Sequence, residues 1–154
     1  MRSFALGICA IAVLGLCLTA QTSPARPGTY KSAAQIEEQL SQTSVKSAAG
    51  QRVEIFPGMV LRRRLAGPNN VSVHSAETDK QDVTEVYQIV DGAGTFVTGG
   101  VVADPKNRPA GIKGGEAHRV SRGDYLVIPP GTPHWFSSIE GSITYLETRF
   151  PTKR

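Results

Sequence analysis

A single histidine stands in a context that would hold it rigidly enough for chemistry. His134 closes the stretch "GDYLVIPPGTPHWF", where a strand-like run is followed by three prolines and a glycine. Proline fixes one backbone angle and lacks an N–H donor, so we expect a tight, stiff loop that places His134 at the start of a new strand. A rigidly held imidazole suits a metal site or acid/base catalysis.

The spacing around this histidine resembles the second motif of the cupin superfamily. That motif consists of a glycine, five residues, Pro-x-Gly, two residues, a histidine, three residues and an asparagine. Gly123, Pro129, Gly131 and His134 match it in register, and Ser138 stands in the place of the asparagine.

A second match lies upstream. The first cupin motif ends in a glutamate that is followed by a glycine after six residues, as Glu85 and Gly92 are in "EVYQIVDG". The resemblance extends from about Arg52 to Phe150. It implies a double-stranded β-helix, a small jelly roll whose interior commonly binds a divalent metal. It also implies that Glu85 and His134 are metal ligands or catalytic groups.

The sequence departs from the family at the two histidines that normally precede the glutamate. Their places fall on Thr78 and Lys80, or on Asp79 and Gln81. His74 shares a strand face with the missing pair but lies four residues before Thr78, roughly 13 Å along an extended chain. We therefore take His74 and Asp79 as candidate additional ligands; His74 would need a bulge or a shifted register to reach the metal.

Three interpretations of the pair remain open at this point. Glu85 and His134, with His74 or Asp79, could hold iron, manganese, nickel or zinc and leave positions free for a substrate. They could instead do acid/base work or bind a ligand in a metal-free pocket. Lys80 favours this second interpretation, because an ammonium group facing the cavity would repel a cation. The third interpretation is a structural role.

The remaining pattern predicts the elements that position these residues. "SAAQIEEQL" combines Ser32 and Gln35, a pattern typical of a capped helix start, with apolar residues at helical spacing. From Gln51 onward, short β-type runs alternate with glycine, proline and asparagine. They include "EVYQIV" and "GTFVTGG", separated near Gly92, and "HWFSSI" and "SITYLETRF", which we predict as four separate strands. We therefore predict an all-β domain, a jelly-roll cupin barrel, with one short N-terminal helix.

Three further predictions concern individual side chains. In "SITYLETRF", alternation places Ile143, Tyr145, Glu147 and Arg149 on one face, as in a strand that lines a polar cavity. The run of three arginines at 62–64 is interpreted as a solvated edge that discourages aggregation, with an anion site as the alternative. His118 is expected at the surface.

The N-terminus predicts export. Residues 1–20 combine Arg2 with an apolar run that ends at Ala20, as in a cleaved signal peptide; an uncleaved membrane anchor is the alternative. Both cysteines, Cys9 and Cys17, fall inside this segment. We therefore predict a signal peptide at 1–20, a leader with the short helix at 21–50, and the cupin barrel at 51–154.

Composition restricts the partners. The chain carries 17 basic and 13 acidic residues; without Arg2 this becomes 16 against 13, or +3. This mild excess, without a basic run interleaved with aromatic residues, gives no reason to expect that the protein binds nucleic acid.

We expect a secreted or periplasmic protein without stable membrane association after cleavage. We expect it to act on a small organic molecule as a metal-dependent oxygenase, isomerase or decarboxylase. The alternative is a metal-free cupin that binds a small ligand without turnover. The resemblance also implies a homodimer.

Overall fold

The computed structural model describes residues 27–43, 50–67, 73–74 and 82–152. The chain divides into two units, Met1–Tyr30 and Lys31–Arg154, and every helix and strand described here lies in the second. In chain order they are α1 (Ala33–Ser41), β1 (Gln51–Phe56), β2 (Met59–Leu65), β3 (Val83–Thr98), β4 (Val101–Val102), a 3-10 turn (Arg108–Ala110), β5 (Ile112–Lys113), β6 (Glu116–Ser121), β7 (Tyr125–Ile128) and β8 (His134–Pro151).

The predicted helix is confirmed together with its cap. The Gln35 backbone N–H donates to Ser32 Oγ at 3.2 Å, and the Ser32 backbone N–H donates to the Gln35 side chain at 2.8 Å. At the other end, the Gln51 side-chain amide donates to the Leu40 carbonyl at 2.9 Å, which ties the last turn of α1 to the start of β1. Leu40 is fully buried. The helix is therefore a packing element. No helix in the described ranges is long and apolar enough to cross a membrane.

All strands pair antiparallel. The main sheet has the order β1-β2-β8-β3-β6, and β7 pairs with β3 beside β6; β4 and β5 form a separate two-stranded ladder. The sequence predicted four short strands where the structure has two long ones, β3 and β8. Bulges interrupt their pairing near Gly92 and Gly94, and such irregularities bend a strand and increase its twist.

The ribbon formed by β3 and β8 folds back on itself. Glu85 lies near the start of β3, whereas His134 pairs with Thr98 at the end of that strand. Thirteen residues of straight strand would separate these two positions by about 43 Å. The side chains of Glu85 and His134 nevertheless approach to 3.4 Å. Opposite ends of the ribbon therefore meet across an interior, and the predicted all-β barrel with one short helix is confirmed.

The interior is apolar in its middle and charged toward one side. Tyr145 and Ile143 of β8 are completely buried, and Glu147 of the same face is 2% exposed, so the face that alternation assigns to these residues points inward. The buried apolar cluster comprises Tyr87, Ile89, Phe96, Val120, Ile128, Phe136, Ile143 and Tyr145. The site described next borders this cluster, because Tyr87 belongs to both.

Candidate functional site

The proline-rich loop holds His134 as the sequence predicts. The Thr132 N–H donates to the Pro129 carbonyl at 3.2 Å, and Gly131 adopts a φ of +76°. This is a turn with proline second and a glycine of positive φ third, an arrangement that glycine adopts without steric cost. The His134 backbone then exchanges two hydrogen bonds of 2.9 Å with His74. Both flanks of His134 are therefore fixed.

The ring of His134 is oriented by the same loop. Nδ1 lies 3.0 Å from the Thr132 carbonyl oxygen. A carbonyl only accepts, so Nδ1 carries the hydrogen and donates, which leaves Nε2 as the lone-pair nitrogen of the neutral ring. Nε2 points toward Glu85. Such a backbone contact is the usual way in which a metal-binding imidazole is oriented.

The carboxylate of Glu85 is held at both oxygens. Glu85 on β3 is the sheet partner of Arg149 on β8, and Glu85 Oε1 contacts Arg149 Nη2 at 3.2 Å. Oε2 accepts a hydrogen bond of 2.7 Å from the Tyr87 hydroxyl and lies 3.4 Å from His134 Nε2. The Tyr87 hydroxyl is itself 3.2 Å from Nε2. Glu85, Tyr87 and His134 are all buried, and together they form what we call the Glu85–His134 centre.

This geometry favours a positive charge between the acid and the imidazole. In the neutral ring tautomer, a nitrogen lone pair and a carboxylate oxygen, both acceptors, face each other at 3.4 Å. A proton on Nε2 would make the ring an imidazolium that donates toward Glu85 and Tyr87. A divalent cation shared by the two atoms would have the same effect. The centre is thus built for a proton or a metal ion.

The ionisation of the centre follows from its contacts. Burial raises the pKa of the Glu85 carboxyl, but the hydrogen bond and charge of His134, together with Tyr87 and Arg149, outweigh it and lower that pKa from 4.5 to about 2. Burial also raises the pKa of the Tyr87 phenol well above its usual value, and the neighbouring carboxylates act in the same direction. Glu85 is therefore a carboxylate and Tyr87 a neutral hydroxyl near neutral pH.

A second set of charges adjoins the centre. Glu147 contacts Arg62 through Oε2 and Arg149 Nε through Oε1, the latter at 2.7 Å. Burial lowers the pKa of the Arg62 guanidinium, but the attraction of Glu147 outweighs it, so that pKa is raised. Arg62, Glu147 and Arg149 form the arginine–glutamate cluster, and Arg149 links it to Glu85.

The interpretation of the three arginines as a solvated edge is wrong. Strand β2 lies between β1 and β8, so it is not an edge. Alternation sends Arg62 and Arg64 into the interior, where Arg64 is 4% exposed. Only Arg63 points outward, and it pairs with Glu37 of α1 at 2.7 Å. Burial of Arg62 is compatible with its charge because the neighbouring strand β8 supplies Glu147, whereas Arg64 Nη2 lies 3.4 Å from His74 Nε2.

The described donors match two positions of a metal site. Two ligands at about 2.1 Å from a tetrahedral ion lie about 3.4 Å from each other, which is the separation of Glu85 Oε2 and His134 Nε2. Within the residues that the structure describes, no group of three histidine, cysteine, aspartate or glutamate side chains is arranged to hold an ion. Glu85 and His134 would therefore hold a metal together with further ligands.

Of the two additional predicted ligands, the structure describes His74 but not Asp79. His74 lies next to His134, with ring centroids 5.7 Å apart, but its Nε2 is 3.4 Å from Arg64 Nη2. Asp79 and Lys80 lie outside the described residues. The ligand roles of His74 and Asp79 thus stay predictions. His118 lies on β6 with its side chain 47% exposed, 3.3 Å from Glu116, as expected of a surface residue.

Sequence reasoning missed Tyr87. It follows Glu85 by two residues and therefore shares its face of β3, a signal that alternation alone could have provided. Alternation in the sequence also predicted part of the arginine–glutamate cluster. It placed Glu147 and Arg149 on one face of β8, whereas the arginines of β2 were misassigned to a solvated edge.

Comparison with known proteins gives structural similarity only. No family model matches the chain, and no curated protein matches it. Among solved structures, the iron(II) form of HppE aligns at 15% identity over 61% of this chain and 44% of its own, with a TM-score of 0.45. DMSP lyase DddQ from Ruegeria pomeroyi aligns at 18% identity over 59% of this chain and 36% of its own, with a TM-score of 0.42. Drosophila melanogaster CENP-C bound to CAL1 aligns at 14% identity over 60% and 65%, with a TM-score of 0.44. The chain spans less than half the length of the first two.

Proposed function

We propose that this cupin-fold protein is a metal-dependent enzyme that acts on a small organic molecule, with Glu85 and His134 as metal ligands. The observation that carries the proposal is the 3.4 Å separation of Glu85 Oε2 and His134 Nε2 in a buried interior, with the histidine oriented by Thr132. Iron, manganese, nickel and zinc all accept imidazole and carboxylate ligands. HppE in its iron(II) form and the DMSP lyase DddQ have similar structures and are compatible with this class of function.

The chain's own residues then have distinct tasks. Arg149 holds Glu85 Oε1 and so leaves Oε2 as the oxygen directed at His134. Thr132 keeps the proton of His134 on Nδ1 and leaves Nε2 available. The chemistry that a divalent ion supplies when bound there is polarisation of a substrate oxygen as a Lewis acid. An oxygenase, isomerase or decarboxylase reaction would each use such polarisation.

The test is elemental analysis of the protein from Gln21 to Arg154, purified without chelator or a metal affinity tag. We expect about one metal ion per chain in the wild type and its loss in His134→Ala, because only one imidazole faces Glu85 at bonding range. The control is His118→Ala, which removes an exposed histidine and should retain the ion. His74→Ala reports whether His74 is an additional ligand. A wild type that holds no metal after incubation with iron, manganese, nickel and zinc contradicts the proposal.

The second candidate is a metal-free pocket that binds a small ligand or does acid/base work. It is favoured by a specific observation: Arg149 contacts Glu85 Oε1 at 3.2 Å and the Tyr87 hydroxyl donates to Oε2 at 2.7 Å, so the protein itself supplies a partner to each carboxylate oxygen. A small molecule recovered unmodified from metal-free protein would support this candidate. Stoichiometric, tightly bound metal would exclude it.

We further propose that the protein is exported to the periplasm or beyond the cell and that it forms a homodimer. Export rests on the apolar segment before Ala20, and dimerisation rests on the cupin resemblance alone. N-terminal sequencing of the protein recovered from the extracytoplasmic fraction should begin at Gln21. A chain that starts at Met1 and sediments with membranes would instead indicate an uncleaved anchor. Sedimentation analysis of the cleaved protein tests the dimer, which a monomer mass would contradict.

A further inference from the structure

The Tyr87 hydroxyl occupies a fixed position in the interior. The residue is 4% exposed. Its ring lies 4.7 Å from the Tyr145 ring and 5.9 Å from the Phe96 ring, measured between centroids. Aromatic packing on two sides leaves the ring little freedom to turn. The hydroxyl is consequently held in place by the apolar cluster rather than by the polar groups it contacts.

That hydroxyl stands between the acid and the imidazole. It is 2.7 Å from Glu85 Oε2 and 3.2 Å from His134 Nε2, and both distances are shorter than the direct contact of 3.4 Å between those two atoms. A phenol has one hydrogen, and Glu85 is a carboxylate that only accepts, so Tyr87 donates to Oε2. Its lone pairs then face Nε2 and can accept when that nitrogen carries a hydrogen.

Two donors therefore fix the two oxygens of one carboxylate. Tyr87 holds Oε2 and Arg149 holds Oε1 at 3.2 Å, so the Glu85 carboxylate cannot rotate about its terminal bond without breaking one of these contacts. An unrestrained glutamate would lose rotamer freedom on binding a ligand. Tyr87 removes part of that cost before any ligand arrives.

We propose that Tyr87 is the positioning residue of this site, and that its hydroxyl holds Glu85 Oε2 at its fixed distance from His134 Nε2. The consequence for metal affinity rests on the proposed function; the positioning itself does not. Hydrogen-bond partners of metal ligands typically contribute 10-fold to 100-fold to metal affinity. Tyr87 would act through Glu85, without being a ligand itself.

The test replaces one hydroxyl and keeps its ring. Tyr87→Phe removes the donor to Glu85, and Tyr145→Phe is the matched control, since Tyr145 is equally buried and stacks on Tyr87 but pairs in the sheet with Ile89 and Arg62, away from Glu85. Titration calorimetry with zinc should show the Kd rising about 10-fold to 100-fold in Tyr87→Phe and by less than about 3-fold in Tyr145→Phe. An unchanged zinc Kd in Tyr87→Phe overturns the proposal.

A second measurement separates this inference from the proposed function. In metal-free protein at fixed pH, ¹⁵N NMR signals of the His134 ring should shift in Tyr87→Phe and stay in place in Tyr145→Phe, because Tyr87 is the tyrosine whose hydroxyl lies 3.2 Å from Nε2. If the wild type binds no zinc and the His134 ring signals still shift in Tyr87→Phe, the metal-dependent function is contradicted and the positioning role is supported. Ring signals that are identical in all three proteins overturn the positioning role.

Discussion

Replacing Glu147 with glutamine is expected to lower the free energy of unfolding by about 3 to 5 kcal/mol. Glu147 is 2% exposed and contacts two guanidinium groups, those of Arg62 and Arg149. The substitution conserves volume and removes only the negative charge. The guanidinium groups of Arg62 and Arg149, with side chains 12% and 27% exposed, would then lose the carboxylate that both contact. A charge that is taken out of water without a partner destabilises a protein strongly.

Urea unfolding at pH 7 measures the effect. The matched control is Glu140→Gln, which breaks the ion pair of Glu140 with Arg119 at 2.9 Å; both side chains are more than half exposed. Exposed pairs contribute about 0 to 1 kcal/mol, so this variant should unfold almost as the wild type does. Since domains of this size are stable by only about 5 to 15 kcal/mol, the Glu147 variant should lose between about a fifth and all of its stability. A loss below about 1 kcal/mol would show that the arginine–glutamate cluster is solvated rather than buried.

The sequence predicts the position of His134 because the loop that holds it is formed by neighbouring residues in the chain. The turn at Pro129–Thr132 and the strand start at His134 depend on residues that are adjacent in the chain, so proline and glycine identify them directly. Glu85 could be identified as a candidate only through the longer cupin pattern, in which a glutamate precedes Gly92 by seven positions. Alternation places Tyr87 on the same face as Glu85, but its contact with His134 arises only when opposite ends of the β3–β8 ribbon meet, which no local pattern encodes.

The errors at β2 and in the long strands have separate physical causes. Arg62 and Arg64 are read as surface residues because burial of a charge depends on a partner strand, and Glu147 is 85 residues away in sequence from Arg62. The strand breaks predicted near Gly92 are bulges within β3. Gly92 has a φ of +77°, and a Cβ there would lie 2.0 Å from the Ser142 carbonyl oxygen, so glycine permits the close approach of β8 rather than ending the strand.

The metal-free wild type should lose stability in acid in a window set by Glu85. Its pKa is about 2 in the folded protein and near 4.5 when the side chain is free in solution. Below pH 4.5 the unfolded chain therefore binds a proton that the folded chain does not, and acid favours unfolding. The contribution of Glu85 is fully present above about pH 5 and disappears as the pH falls toward 2. Its size is on the order of 2 kcal/mol after allowance for solvent screening.

Glu85→Gln isolates this contribution, because glutamine does not titrate. The gap in unfolding free energy between wild type and variant should be widest near pH 7 and narrow progressively from pH 4.5 to pH 2, as measured by urea unfolding with chelator present. Glu140→Gln again serves as the control and should follow the wild-type curve. A gap that stays constant from pH 7 to pH 2 would mean that the Glu85 carboxyl has the same pKa in the folded and the unfolded chain. Its contacts with His134, Tyr87 and Arg149 would then not favour the carboxylate over the neutral acid.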